Sequence, residues 1–310
     1  MLIRFGYDLT FGCLQPTPMV VMLLTHPSLA PSLLRPDAIH TGPAMAIEDH
    51  VDMFGNRCGR LTAPSGPLRM WCDAVAADSG LPEPVDRSAA QHAVADLPAD
   101  TLAYLSGSRY CETEELSEQA WKLFGDGPTG WGRVQAVCDW VNANVTFGYG
   151  HARDNKTAHD VFVERTGVCR DFAHLAITLC RCLNIPARYA SGYLGDIGVP
   201  ADPNPMDFSA WFEVYLGKSW YTFDARHNRP RIGRILMARG RDAADVAMTT
   251  SFGAHRLTSF KVWTHEIQSL DDFDGLTRDH VDPLACHNEL SCQGLVSGQH
   301  LQAALPAATR

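Results

Sequence analysis

The sequence predicts an α+β protein, with β-rich residues 1–80 ahead of a helical stretch that gives way to antiparallel strands. Three observations carry this. Ile3, Phe5, Tyr7, Leu9 and Phe11 alternate with Arg4, Gly6, Asp8, Thr10 and Gly12, the period-two pattern of a half-buried strand. Phe172, Leu175, Ala176, Leu179 and Leu183 recur at helical spacing after Cys169. Downstream, Asp207 to Leu216 and Ser219 to Asp224 are strand-like runs joined through Gly217-Lys218, a hairpin signature.

In order along the chain, Met19 to Leu24 is an apolar run bounded by prolines and fits a buried strand. Asp52 to Arg57 reads as a hairpin turn, with strands expected at Cys58 to Ala63 and Leu68 to Val75. Together these suggest a small β-sandwich. The pattern shifts at Ser79-Gly80-Leu81-Pro82-Glu83-Pro84. Helices are expected over Leu97 to Leu105, Glu114 to Phe124, Val134 to Val145 and around Val161, before the helix opened by Cys169. Ala187 to Leu194 is the first strand after it, and Val246 to Thr250 and Leu257 to Ile267 are expected to close the same sheet. Apolar periodicity is lost beyond Asp271. The expected units are therefore residues 1–80, residues 81–268 and a tail over 269–310.

With 310 residues, 45% hydrophobic and 20% charged, the chain has the balance of a globular protein with a real core. Its net charge of −9 argues against nucleic-acid and anionic-membrane partners, which need clustered positive surface. The first residues lack the features of a signal peptide, and the ten cysteines show no paired metal-type spacing. A cytoplasmic protein with free thiols is expected. His280, Cys286, His287 and Cys292 lack a Cys-x-x-Cys element, and glycine-rich phosphate loops are absent, so neither a metal nor a cofactor is expected.

The chemistry centres on Cys169. Gly167 and Val168 precede it and a helix follows, so its sulfur sits at a helix N-terminus, where unpaired N–H groups and the dipole favour an anion. A thiolate is the nucleophilic form of cysteine, and nearby Arg170 would help to maintain it. A buried core cysteine is the alternative.

Several blocks resemble the transglutaminase-like superfamily, which includes bacterial cysteine peptidases: Gly167-Val168-Cys169-Arg170-Asp171-Phe172-Ala173-His174, Ile185-Pro186-Ala187-Arg188-Tyr189, Asp207 to Leu216, Trp220-Tyr221-Thr222-Phe223-Asp224 and Gly240 to Val246. The resemblance runs from about Val134 to Ile267. It implies a papain-like core of helices packed on an antiparallel sheet, preceded by the β-rich region of bacterial members. It also implies a Cys-His-Asp triad in which Cys169 is the nucleophile and Asp224 the orienting acid. The family's usual histidine position holds Ser209, whose hydroxyl cannot take a proton as an imidazole does. His227, three residues past Asp224, is the leading substitute, although strand alternation would turn it away unless the strand ends there. His174, the second candidate, lies roughly 140° around the helix from Cys169 and reads mainly as a packing or hydrogen-bonding residue.

The resemblance thus implies a thiol enzyme that acts on peptide or glutamine-type amides through a Cys169 thioester, by hydrolysis or transamidation. Cys169, Asp224 and His227 would be catalytic, Ser209 and Trp211 would line the substrate site, and the partner would be a peptide or protein. The alternative is a fold without turnover that serves as a peptide- or protein-binding module. Arg226, Arg229, Arg231, Arg234, Arg239 and Arg241 form a basic run that either clamps a substrate carboxylate or pairs with the chain's own acids.

Overall fold

A computed structural model of the chain describes residues 1–276 and 296–298. The first elements are strands β1 (Leu2–Cys13), β2 (Thr17–Val21), β3 (Leu33–Arg35), β4 (His40–Gly42), β5 (Glu48–Val51), β6 (Arg57–Ala63) and β7 (Gly66–Ala77). Helices α1 (Thr113–Phe124) and α2 (Trp131–Asn144), strand β8 (Thr146–Phe147), helix α3 (Ala158–Glu164), strand β9 (Thr166–Gly167) and helix α4 (Cys169–Cys182) follow. Then come β10 (Ala187–Leu194), β11 (Ser209–Leu216), β12 (Ser219–Phe223), β13 (Arg234–Gly240), β14 (Thr249–Ser251), β15 (His255–Ile267), α5 (Leu270–Leu276) and β16 (Val296–Gly298).

The first unit is a sandwich of two sheets, ordered β15-β1-β7-β3 with β4 on β7, and β16-β14-β2-β6-β5. The alternation in β1 does what its pattern dictates: Ile3, Phe5, Tyr7 and Phe11 are fully buried and pack with Met19, Val21 and Leu61 of the facing sheet. The helical unit is built around α4, whose residues from Arg170 to Cys182 are all buried. Phe172, Leu175, Ala176 and Leu179 share one core with Leu116 and Ala120 of α1, Val134, Val137 and Val141 of α2, and Ala210, Phe212 and Val214 of β11. The sheet behind α4 runs β12-β11-β10-β13. An α+β arrangement of helices packed on an antiparallel sheet, with a β-sandwich beside it, is the fold class the sequence predicts.

Two elements differ from expectation. Residues 257–267 alternate as a strand should, yet β15 pairs with β1 over the whole of that strand, from Leu2 opposite Ile267 to Cys13 opposite His255, and β14 pairs with β2. Alternation marks a strand without choosing its partner, and the long N-terminal strand offered the longer edge. The sandwich is thus built from both ends of the chain. Conversely, the arginine-rich stretch hides strand β13, whose Ile235, Leu236, Met237 and Ala238 are buried and which pairs with β10. Gly192 makes that pairing possible: a Cβ there would stand 2.0 Å from the carbonyl oxygen of Ile235.

Smaller differences follow the same logic. The stretch from Leu97 to Leu105 forms a single 3₁₀ segment, Ala99–Tyr104, in place of a full helix. In the tail, α5 buries Phe273 against Val75 and Ile267, while His280, Cys286, His287 and Cys292 lie outside the described residues. Among the described residues no helix is long and apolar enough to cross a membrane.

Candidate active site

The start of α4 is fixed from below. Asp171, fully buried, reaches back so that its Oδ2 accepts the Val168 N–H at 2.9 Å, and Gly167 leaves room for it, since a Cβ there would lie 2.6 Å from Cβ of Asp171. Cys169 occupies the first helical position, partly exposed, and its N–H has no intrahelical acceptor.

A second constellation forms where β12 ends. Strand geometry stops at Phe223, so the alternation that would turn residue 227 away from residue 224 does not apply. The chain instead folds tightly over Asp224, whose Oδ1 accepts the backbone N–H groups of Arg226 at 2.9 Å and His227 at 3.0 Å. The Asn228 N–H closes the turn on the Asp224 carbonyl at 2.7 Å, and Asn142 of α2 donates to the carbonyls of Ala225 and Arg226. Asp224 Oδ2 meets Nδ1 of His227 at 2.8 Å and Nη2 of Arg234 at 2.7 Å. Burial alone would raise the Asp224 carboxyl, but Arg234 and His227 outweigh it and hold the group well below the usual carboxylate range. An ionised Asp224 can only accept, so Nδ1 of His227 carries the proton and the lone pair of a neutral ring sits on Nε2.

Both constellations open into one cavity of about 110 Å³, lined by Cys169, Ser209 and His227 together with Asp207, Arg226 and Tyr149. Asp224 lies behind this wall, between it and a second cavity of about 480 Å³ that Trp131, Gln135 and Arg229 help to line. Of the residues singled out in the sequence, Cys169, Ser209 and His227 share one space and Asp224 supports it.

Trp211 does not join them. It is 2% exposed, packs with Ala190 and Leu236, and carries the Arg234 guanidinium 4.8 Å from its ring centre. Alternation along β11 sends Ala210 and Phe212 toward α4, leaving residues 211 and 213 for the opposite face, where Glu213 meets Arg188 and Arg239. His174 is a packing residue, as its helical offset implies: it is fully buried, stacks on Tyr110 with ring centres 5.1 Å apart, and accepts the Ala243 N–H on Nε2 at 3.1 Å.

A family model described as the transglutaminase-like superfamily matches residues 122–225, which hold Cys169, Ser209 and Asp224. A solved structure of a candidate cysteine protease from Cytophaga hutchinsonii is 32% identical, covers 87% of this chain and 91% of its own, and superposes with a TM-score of 0.75. The chain belongs to the transglutaminase-like superfamily. Two uncharacterised mycobacterial relatives are similar as well. One, from Mycobacterium leprae, is 29% identical over 120 residues, and one from Mycobacterium tuberculosis strain H37Rv is 30% identical over 115. The matched segments span 42% and 37% of those relatives and 37% and 34% of this chain.

Ser209, at the start of β11, and His227, in the turn that follows β12, line the same space. The electrostatics of the sulfur differ from the sequence expectation. Burial pushes the Cys169 thiol up and Asp207 adds to this, while Arg226 and the Ala210 amide pull it down. Arg170, expected to help, is turned toward the Arg153 carbonyl and Asp171.

Two cavity residues stood out only weakly in the sequence. Arg226 was one of six arginines, and Asp207 merely opened the block that contains Ser209. Burial pushes the Asp207 carboxyl up to about 7, against the pull of the Phe208 N–H and Arg226. A carboxyl bound more tightly to its proton in the folded state adds stability that is complete below about pH 4 and lost as pH rises through about 7. Asp207→Asn, which keeps an acceptor for the Phe208 N–H, should therefore gain in Tm relative to wild type as pH rises from 5 to 8. It should also lower the apparent pKa of Cys169 read from the pH dependence of iodoacetamide alkylation. An unchanged alkylation profile would mean that Asp207 does not act on the sulfur.

Proposed function

We propose that the protein is a thiol-dependent acyl-transfer enzyme acting on peptide or glutamine-type amides. The observation that supports this reading most directly is that Cys169 at the start of α4 and His227, tied to Asp224 at 2.8 Å, line one cavity. In the proposed cycle Nε2 of His227 takes the Cys169 proton as the sulfur bonds to the amide carbonyl carbon. The Cys169 N–H at the helix start holds the developing oxyanion. Collapse breaks the C–N bond, and the imidazolium returns its proton to the departing amine. Water or a second amine, deprotonated by His227, then attacks the thioester carbon and releases an acid or a new amide with the thiol restored. Asp224 keeps the ring in the tautomer this needs and stabilises the imidazolium. Because burial favours the neutral thiol, this reading has the thiolate form by transfer to His227 during attack. A free thiol is retained most readily in a reducing compartment, so the cytoplasm is part of the proposal.

The second reading, a module that binds peptides without turnover, is favoured by that same upward shift of the thiol. An activated peptide ester separates the two. Intact-mass measurement after acid quench should find one acyl group on Cys169, formed and then discharged over time. No adduct on a Cys169 that iodoacetamide still alkylates would favour the binding module.

A further inference from the structure

The six clustered arginines separate sharply once their partners are known. Arg234 holds Asp224 and Glu83, Arg239 binds Glu213 through two nitrogens, and Arg241 binds Asp245. Arg231 also lines the Cys169 cavity, but it is buried, donates to the Gly195 carbonyl and lies near Asp196, and Arg229 is exposed beside the larger cavity. Five of the six thus either serve the chain's own structure or lie away from Cys169.

Arg226 is different. Its guanidinium lies over the Phe147 ring, 3.7 Å from the centroid, and lines the Cys169 cavity. Among the described residues it has no ion pair and its side chain makes no hydrogen bond. The acids that share the cavity have other partners. Asp202 accepts from Asn204 through both the backbone and side-chain nitrogens, Asp196 accepts the Asp202 N–H, and Asp207 accepts the Phe208 N–H. A guanidinium partly desolvated on an aromatic face, with its fork of donors unused, suits a planar carboxylate held by paired hydrogen bonds. At about 110 Å³ the cavity has room for little more than one residue's side chain or a chain end.

We propose that Arg226 anchors a carboxylate of the substrate, so that the site prefers acyl groups bearing a free carboxylate close to the scissile amide. This rests on the reading of the Cys169 cavity as the acyl-transfer site. The anchor is held in place by the same turn that carries His227, through the Asn142 bond to the Arg226 carbonyl at 2.7 Å. Selection and proton transfer therefore share one structural support.

Two small alkylating agents that differ in charge test the anchor without turnover. In each, the Cys169 sulfur bonds to a CH₂ carbon as iodide leaves with the bonding pair; iodoacetate carries a carboxylate and iodoacetamide a neutral amide. The rate at Cys169 is followed by peptide mass mapping in the full chain, in wild type, Arg226→Gln and Arg226→Lys. Any effect of Arg226 on the thiol itself acts on both reagents and cancels in their ratio. The iodoacetate-to-iodoacetamide ratio should fall about tenfold in Arg226→Gln and less in Arg226→Lys, which keeps the charge without the fork. A thermal melt followed by circular dichroism that matches wild type verifies that the variant is folded. A ratio that Arg226→Gln leaves unchanged overturns the proposal, as does an equal slowing of both reagents. A ratio that responds to Arg226→Gln in a protein that forms no acyl adduct upholds the anchor and rejects turnover.

Discussion

His227→Ala is expected to lower kcat/KM on an amide substrate by about 10²- to 10⁴-fold, the usual worth of a positioned acid–base group. The loss should be specific to proton transfer. Asp224 would still be bound by Arg234 and by the backbone N–H groups of Arg226 and His227, so no buried carboxylate is orphaned and the fold should persist. Alkylation of Cys169 provides the internal control. Near neutral pH the variant should react more slowly than wild type, because no base takes the thiol proton. Well above the thiol pKa the two should converge, since the thiolate then forms without help. If amide turnover survived the substitution unchanged, the imidazole would be a bystander and the mechanism would have to run without it.

That His227 folds back onto the Asp224 carboxylate was only half visible in the sequence. The helix period after Cys169 and the alternation in β1, β10 and β11 follow from side-chain spacing alone, and each corresponds to an observed element. What spacing cannot supply is the partner of a strand or the point at which it stops. β15 alternates equally well whether it closes the core sheet or extends the sandwich, and only the packed structure pairs it with β1. Likewise, parity turns His227 away from Asp224 for as long as β12 is assumed to continue. The strand ends one residue before Asp224, and the backbone N–H groups that Asp224 collects bend the next residues back over its own carboxylate.

The arginines show the same limit from another side. A sequence counts their charges but not their partners, and β13 was masked because its flanking arginines outweighed four buried apolar residues between them. Trp211 illustrates the opposite error, since proximity to Ser209 in sequence suggested a place at the site. Its indole instead lies beneath Arg234 on the face away from α4. Two residues along a strand share a face, but they need not reach the same cavity at its end.

Arg234→Met should be the most destabilising of these substitutions, by about 3–5 kcal/mol, because it breaks a buried pair and leaves the charge behind. The Asp224 side chain is 3% exposed and that of Arg234 7%, so water cannot replace the lost guanidinium. Glu83, which arrives from the segment joining the sandwich to the helices, loses its ion pair at the same time and keeps the Arg231 N–H. Urea unfolding at pH 7 measures the cost, and two further measurements identify its origin. Adding Asp224→Asn should recover part of the loss, since the stranded charge is gone, giving a coupling of about 0.5–3 kcal/mol. Lowering the pH should also narrow the gap. In wild type the depressed Asp224 carboxyl contributes stability above about pH 4 that fades as pH falls toward its folded pKa, whereas without Arg234 burial raises the group and protonation relieves it. A deficit that stayed constant between pH 7 and pH 4 and added simply with Asp224→Asn would show that Arg234 acts by packing on Trp211, and that the charge of Asp224 is held by other means.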